Sequence, residues 1–141
     1  MGASIPETPS AAWFAGGIVE RRKLEEYLLS PTHPDGKNKL RLWRGVFGIE
    51  EGDVELLERL LRQQLSQAEP QERGTLTTRD EPPKTIHRWE IVIPRFQGPN
   101  GNVVPVLTAW ALVPDRDLPH LTTAWPLVGR SSDRPSTQAL E

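Results

Sequence analysis

The fold of this chain is decided by the stretch IHRWEIVIPRFQGPNGNVVPVLTAWALV, residues 86–113. In its first part, apolar side chains occupy every second position from Trp89 to Ile93, which is the pattern of a half-buried strand. The dipeptide Asn100-Gly101 then favours a tight hairpin turn, and a second apolar stretch follows it. The sequence therefore predicts two antiparallel strands, over residues 86–96 and 103–113.

Two shorter extended segments flank this hairpin. HLTTAWP, residues 120–126, predicts a third strand that ends at Pro126, because proline lacks the N–H group that a sheet ladder needs. GTLTTRD, residues 74–80, precedes Pro82-Pro83 and is a candidate fourth strand. The C-terminal half is thus expected to form a small antiparallel meander of three to four strands.

The N-terminal half has helical spacing instead. Helices are predicted over residues 19–30, 37–47 and 52–67, the first ended by Pro31 and the second stopped at Gly48. Apolar side chains recur three or four residues apart in each: Leu24, Tyr27 and Leu28; Leu40, Trp43 and Phe47; Val54, Leu57, Leu61 and Leu65. The fold class follows: an α+β domain with N-terminal helices packed on one face of the sheet.

Length and composition fit one domain. The chain has 141 residues, 36% of them hydrophobic, and a formal charge of −2, so no global basic field attracts nucleic acid. We expect a single domain over residues 13–126, with flexible segments at 1–12 and 127–141. The chain shows neither a membrane span nor a secretory leader, so a cytoplasmic location is expected.

Several classes of chemistry lose support. Cysteine is absent, which excludes disulfides and thiolate sites, and no dinucleotide, P-loop, nucleophile-elbow or zinc-protease motif is present. His87 and Glu90 have a spacing that suggests a metal pair, but three residues apart on a strand they face opposite sides. We therefore expect no metal site and no cofactor.

One segment carries a family resemblance. KLEEYLLSPTHPDGKNK at residues 23–39, with the later FQGPNG, TAWALV and LTTAWP, resembles a family of small uncharacterised bacterial domains with the pattern KLxxYLLSPxHPxGxxK … GPxG … TAW … LTTAWP. The resemblance covers about residues 18–126, and its most specific part is the turn from Ser30 to Gly36. Trp125 stands where tyrosine is common in that family.

This resemblance implies a function. Members of the family look like toxin-type domains that occur beside a small partner gene or at the end of larger proteins. Their helices-then-sheet order is similar to the barnase, EndoU, colicin and RelE group of metal-independent ribonucleases, which is an analogy between folds. The implied partners are a small antitoxin-like protein and RNA.

Metal-independent RNA cleavage needs an acid, a base and cations for the phosphate. His33 is the first candidate for acid or base, because it lies in a proline-flanked turn that opens a helix. Lys39, His120 and Thr123 are the further catalytic candidates. Simpler roles stand beside these: His33 as a cap of its turn, Lys39 on a solvated basic face, and the two strand residues as ordinary half-exposed positions.

The phosphate-binding candidates are Lys37, Arg41 and Arg88, and a helix N-terminus with lysines is a reasonable anion site. The five tryptophans can stack on bases, although core packing is the simpler use, and at least Trp43 and Trp89 are expected to face inward while Trp125 is freer. Two functions follow. The first is a toxin-like metal-independent endoribonuclease, and the alternative is a non-enzymatic module that docks a small partner protein through its sheet edge or its tryptophan-bearing face.

Overall fold

A computed structural model describes residues 9–113 and 116–128. Helix α1 spans Ala11–Ala15, and α2 spans Arg21–Lys23 and continues as a π-helical turn, Leu24–Leu28. Helix α3 spans Gly36–Leu42 and continues as the π-helical turn Trp43–Phe47, while α4 spans Val54–Gln64 and ends in a 3₁₀ turn, Leu65–Gln67. Four strands follow, β1 at Gln71–Thr77, β2 at Thr85–Gln97, β3 at Val103–Leu112 and β4 at His120–Pro126.

This architecture confirms the predicted fold class. The three predicted helices are present with shifts of a few residues at their ends, and the candidate fourth strand is β1, which lies three residues earlier than expected. Helix α1 was not predicted, and it begins at Ala11 with its N-terminus capped by the Ser10 side chain. Residues 1–8 and 129–141 of the two predicted flexible segments lie outside the described residues.

The sheet is an antiparallel meander in the order β1-β2-β3-β4. The turn between β2 and β3 lies at the predicted Asn100-Gly101, where Gly101 has a φ of +91° and its N–H donates to the Gly98 carbonyl. A bulge interrupts β4, because Leu121 pairs with Trp110 whereas Thr123 pairs with Ala109. Thr122 is therefore an extra residue, and the buried side chains of β4 are Leu121 before it and Ala124 and Pro126 after it.

The helices cover one face of the sheet. Apolar residues of all three predicted helical stripes are buried there, among them Leu24, Leu28, Leu40, Trp43, Phe47, Val54, Leu57, Leu61 and Leu65. Ile91 and Ile93 of β2 and Val106 of β3 meet them from the sheet. The opposite face of the sheet carries no described helix, and the side chains there that alternate with the core positions, among them Val92, Leu107 and Ala109, are half-buried.

Two backbone hydrogen bonds hold the segment before α2 at the β4 edge of the sheet. The Ile18 N–H donates to the Pro119 carbonyl and the Leu121 N–H donates to the Ile18 carbonyl, which ties the segment before α2 to the start of β4.

Gly36, the first residue of α3, packs directly against the backbone carbonyl of Tyr27. A side chain does not fit at Gly36, so glycine sets how closely α3 approaches the end of α2.

Candidate functional site

The turn between α2 and α3 is built around His33. The Ser30 hydroxyl accepts hydrogen bonds from the backbone N–H groups of Thr32 and His33, at 3.2 and 3.1 Å. The Nδ1 atom of His33 then accepts from the N–H groups of Asp35 and Gly36, both at 3.0 Å. His33 is therefore a cap of its own turn, as the simpler interpretation of the sequence predicts.

This capping fixes the tautomer of the neutral His33 ring, and so the hydrogen-bonding group that its second nitrogen presents. Because Nδ1 accepts two hydrogen bonds, the neutral ring carries its proton on Nε2. Nε2 has no hydrogen-bond partner among the described residues, and His33 lines an open cleft. The N–H groups of Asp35 and Gly36 are occupied by the ring, so the start of α3 does not supply them to an anion. In this tautomer the Nε2 atom of His33 carries a hydrogen that it can donate, and it has no lone pair with which to accept a proton.

Tyr27 is the centre of the site. Its ring meets the His33 ring edge to face, with 4.8 Å between the centroids. The Lys39 ammonium lies 5.2 Å from the Tyr27 ring centroid, and the Thr123 hydroxyl donates to the Tyr27 hydroxyl at 3.4 Å. We call these four residues, Tyr27, His33, Lys39 and Thr123, the Tyr27 cluster. Three of the four predicted catalytic residues thus meet around a residue that the sequence analysis assigned to packing.

The surroundings of Tyr27 change the acidity of its phenol. Partial burial raises the pKa of Tyr27, but the hydrogen bond from Thr123 and the nearby Lys39 ammonium lower it. Together the two lowering effects outweigh the effect of burial, so the pKa of Tyr27 lies below its ordinary value. A phenol of this kind ionises more readily than a free tyrosine. The phenolate that forms can accept a proton.

The chain offers a direct test of this electrostatic effect, because Tyr27 is its one tyrosine. We expect a titration followed by the ultraviolet absorbance of the phenolate to give a pKa below that of free tyrosine, and Lys39→Met to raise it. Lys37→Met is the matched control, since Lys37 is exposed on the same helix, and it should leave the titration unchanged. Equal values for wild type and Lys39→Met would contradict the assignment.

The cleft beside the cluster is open and polar. It has a volume of about 610 Å³. Its lining combines cationic, acidic and hydroxyl side chains: Glu20, Arg22, Lys23, Glu26, Tyr27, His33, Asp35 and Thr122. A second lysine, Lys23, lies 5.8 Å from the Tyr27 ring centroid. Lysines therefore lie close to the Tyr27 ring, at a cleft whose lining carries three carboxylates and two cations.

The remaining predicted residues lie elsewhere. Lys37 and Arg41 are exposed on α3, and Arg88 is exposed on β2, where it lines a separate groove on the open face of the sheet. His120 lies at the start of β4 with its Nε2 atom 2.8 Å from an Arg116 nitrogen. Burial lowers the pKa of His120, and the Arg116 charge lowers it further. This places His120 as a neutral acceptor for Arg116 and outside the Tyr27 cluster.

Sequence reasoning missed Tyr27 as a functional residue. It falls on the apolar stripe of α2 between Leu24 and Leu28, which are both fully buried, and so it has the position of a core residue. The available signal was chemical, since a partly buried tyrosine hydroxyl normally has a hydrogen-bond partner. No local pattern indicates that this partner is Thr123, which is 96 residues away.

The described residues give no support to a metal centre or a membrane span. Within 9–113 and 116–128, no three histidine, aspartate or glutamate side chains come together in a way that could hold a metal ion. In the same part of the chain, no helix has the length and apolar character required to cross a bilayer.

The fold and the site together define a small α+β domain with a tyrosine-centred polar cluster at one edge of its sheet. Residues 15–128 match the family model described as a domain of unknown function, DUF6883, and the chain belongs to that family. Comparisons with curated proteins and with solved structures found no match.

Proposed function

We propose that this domain is a toxin-like endoribonuclease that cleaves RNA at the Tyr27 cluster without a metal ion. The observation that carries the proposal is a phenol of lowered pKa beside the Lys39 ammonium, at the edge of an open polar cleft. Such a pair combines a proton acceptor with a cation, which are two of the functions that RNA cleavage by its own 2′-hydroxyl requires.

The proposed step uses three residues. The Tyr27 phenolate takes the proton of the 2′-hydroxyl, the 2′-oxygen forms a bond to phosphorus, and the bond from phosphorus to the 5′-oxygen breaks. The Lys39 ammonium gives its proton to the departing 5′-oxygen, while the Nε2–H group of His33 donates a hydrogen bond to a non-bridging phosphate oxygen. The products are a 2′,3′-cyclic phosphate and a 5′-hydroxyl end.

The cluster can then return to its starting state without an outside reagent. After the step, Tyr27 is a neutral phenol and Lys39 a neutral amine. Proton transfer from the phenol to the amine restores the phenolate and ammonium pair. Thr123 acts through Tyr27, because its hydroxyl donates to the phenol oxygen at 3.4 Å and favours the charged form. Thr123 is thus a positioning residue.

Labelled single-stranded RNA incubated with the purified protein in a chelator tests the proposal. We expect cleavage that leaves cyclic phosphate ends, and none on RNA whose 2′-hydroxyls are methylated. His33→Asn keeps an acceptor for the N–H groups of Asp35 and Gly36 but lacks the Nε2–H donor, so it should fold and cleave more slowly. RNA left intact by wild type, both in chelator and with divalent metal, would contradict the proposal.

The toxin assignment and its partner rest on the resemblance of the segment at residues 23–39 to toxin-type domains. A toxin of this kind works in the cytoplasm and is held inactive by a small cognate antitoxin-like protein. Such a partner would inhibit by covering the cleft beside Tyr27. Expression of the wild-type domain should therefore stop growth, and co-expression of the partner should restore it.

The alternative function is a module that docks a small partner protein without catalysis. Strand β1 favours it, because this strand is one edge of the sheet and all seven of its residues are exposed. Exposed edge strands present unpaired backbone groups that a partner strand can bind. A folded Tyr27→Phe variant that retains full toxicity would favour this alternative.

A further inference from the structure

The open face of the sheet carries a groove of about 450 Å³ that the proposed chemistry does not use. Its floor contains Ala109 and Ala111, which alternate along β3 with the buried residues Thr108 and Trp110. Larger side chains complete the lining, with Leu76, Ile86 and Trp125 on the other strands and Leu107 further along β3 itself. Small residues on the central strand between larger ones on either side produce an apolar depression.

The charged residues of the groove leave one cation unpaired. Glu90, opposite Ala109, accepts a hydrogen bond from Arg73 at 3.0 Å, so these two charges compensate each other. Arg88, opposite Ala111, has no acidic partner among the residues that the structure describes. The groove therefore offers an apolar floor together with one free guanidinium, a combination that suits an aromatic base attached to a phosphate.

The groove and the cleft adjoin each other at β4. Thr122 lines both of them, and Thr123 lines the groove while its hydroxyl donates to Tyr27. The Lys39 ammonium lies 5.2 Å from the Tyr27 ring centroid and 4.9 Å from that of Trp125, so the two centroids are within about 10 Å of each other. A phosphate at Lys39 would thus place its adjoining nucleotide at the mouth of the groove.

We infer that this groove binds an unpaired base of single-stranded RNA next to the phosphate held at the Tyr27 cluster. Trp125 provides the stacking surface, and Arg88 binds a phosphate further along the strand. This inference rests on the proposed function. The occupant is single-stranded because base pairing and stacking in a duplex hide the faces of the bases, whereas an unpaired base can leave its stack and lie on an apolar surface.

Binding of a 2′-O-methyl oligoribonucleotide, which cannot be cleaved, tests the groove separately from the chemistry. Fluorescence anisotropy should show that the single strand binds and that its duplex binds more weakly. Trp125→Ala should weaken binding by about 5- to 150-fold, the loss expected for one stacked base, and Trp125→Phe should restore most of it. Arg88→Gln should weaken binding and reduce its salt dependence. Arg59→Gln is the matched control, since Arg59 is exposed on α4 away from the groove.

The outcomes separate the two proposals. If wild type cleaves RNA but Trp125→Ala and Arg88→Gln bind the oligomer as tightly as wild type, the inference is overturned while the nuclease function stands, and a protein becomes the better occupant of the groove. If Tyr27→Phe loses cleavage but keeps its affinity, and Trp125→Ala loses affinity, both proposals are supported. If wild type binds no single-stranded RNA, the inference fails whatever the cleavage assay gives.

Discussion

Replacing Tyr27 with phenylalanine is expected to lower the rate of RNA cleavage by roughly 10²- to 10⁴-fold, the range for removal of a general base. Phenylalanine fills the same space and keeps the edge-to-face contact with His33, so the variant should fold normally. The change removes only the phenol oxygen that accepts the proton. Cleavage by wild type should also rise with pH as the phenolate fraction grows, and the rise should follow the pKa measured by titration of Tyr27.

Two further variants sharpen this result. Lys39→Met should slow cleavage and move the pH dependence upwards, because the pKa of Tyr27 rises when the ammonium is lost. Arg59→Gln, which removes an exposed cation on α4, should cleave as wild type does. A Tyr27→Phe variant that cleaves within tenfold of wild type, with an unchanged pH dependence, would remove Tyr27 from the mechanism.

Gly36→Ala is expected to destabilise the fold by about 1–3 kcal/mol, the usual cost of overpacking. A Cβ atom at this position would overlap the Tyr27 carbonyl group and would approach the His33 Cβ atom at 3.2 Å. Since the obstacle is backbone, α3 has to move away from the end of α2. The same movement separates Lys39 from Tyr27, so the pKa of Tyr27 should rise towards that of free tyrosine. Chemical denaturation and the phenolate titration measure the two effects.

Gly45→Ala is the matched control for this change. Gly45 lies in the π-helical turn that continues α3, and a Cβ atom there would meet nothing within 4 Å. Alanine in a helix is favoured over glycine by roughly 0.5–1 kcal/mol, so this variant should be as stable as wild type or more so. If Gly36→Ala and Gly45→Ala had the same stability, the close approach of α3 to Tyr27 would not be the reason for glycine at position 36.

The sequence predicts the secondary structure well because the relevant signals are local. The apolar stripe of α4 repeats every three or four residues, and Val54, Leu57, Leu61 and Leu65 are all buried. The turn at Asn100-Gly101 needs a positive φ, which glycine adopts without strain. The short helix α1 escapes the same reasoning because it has five residues, too few to show a helical period.

The candidate site was predicted in part. His33, Lys39 and Thr123 were identified by chemistry and spacing, and the structure brings them together around Tyr27. His120 has the same kind of local signal but lies beside Arg116 and not in the cluster. Thr123 contacts Tyr27 and His120 does not because of where β4 meets the end of α2. No pattern within β4 contains that information.

The sequence by itself determined the order of helices and strands, the hairpin at residues 98–102 and the faces that the helices bury, because each depends on neighbours a few positions away. Only the tertiary structure decided which polar residues form a site. The approach of α3 to α2 at Gly36 brings Lys39 to the phenol of Tyr27, and the position of β4 places the Thr123 hydroxyl within hydrogen-bond distance of the same phenol. These contacts join segments that are far apart in the sequence. Their energies depend on short distances between side chains, which are reached only when the helices pack on the sheet.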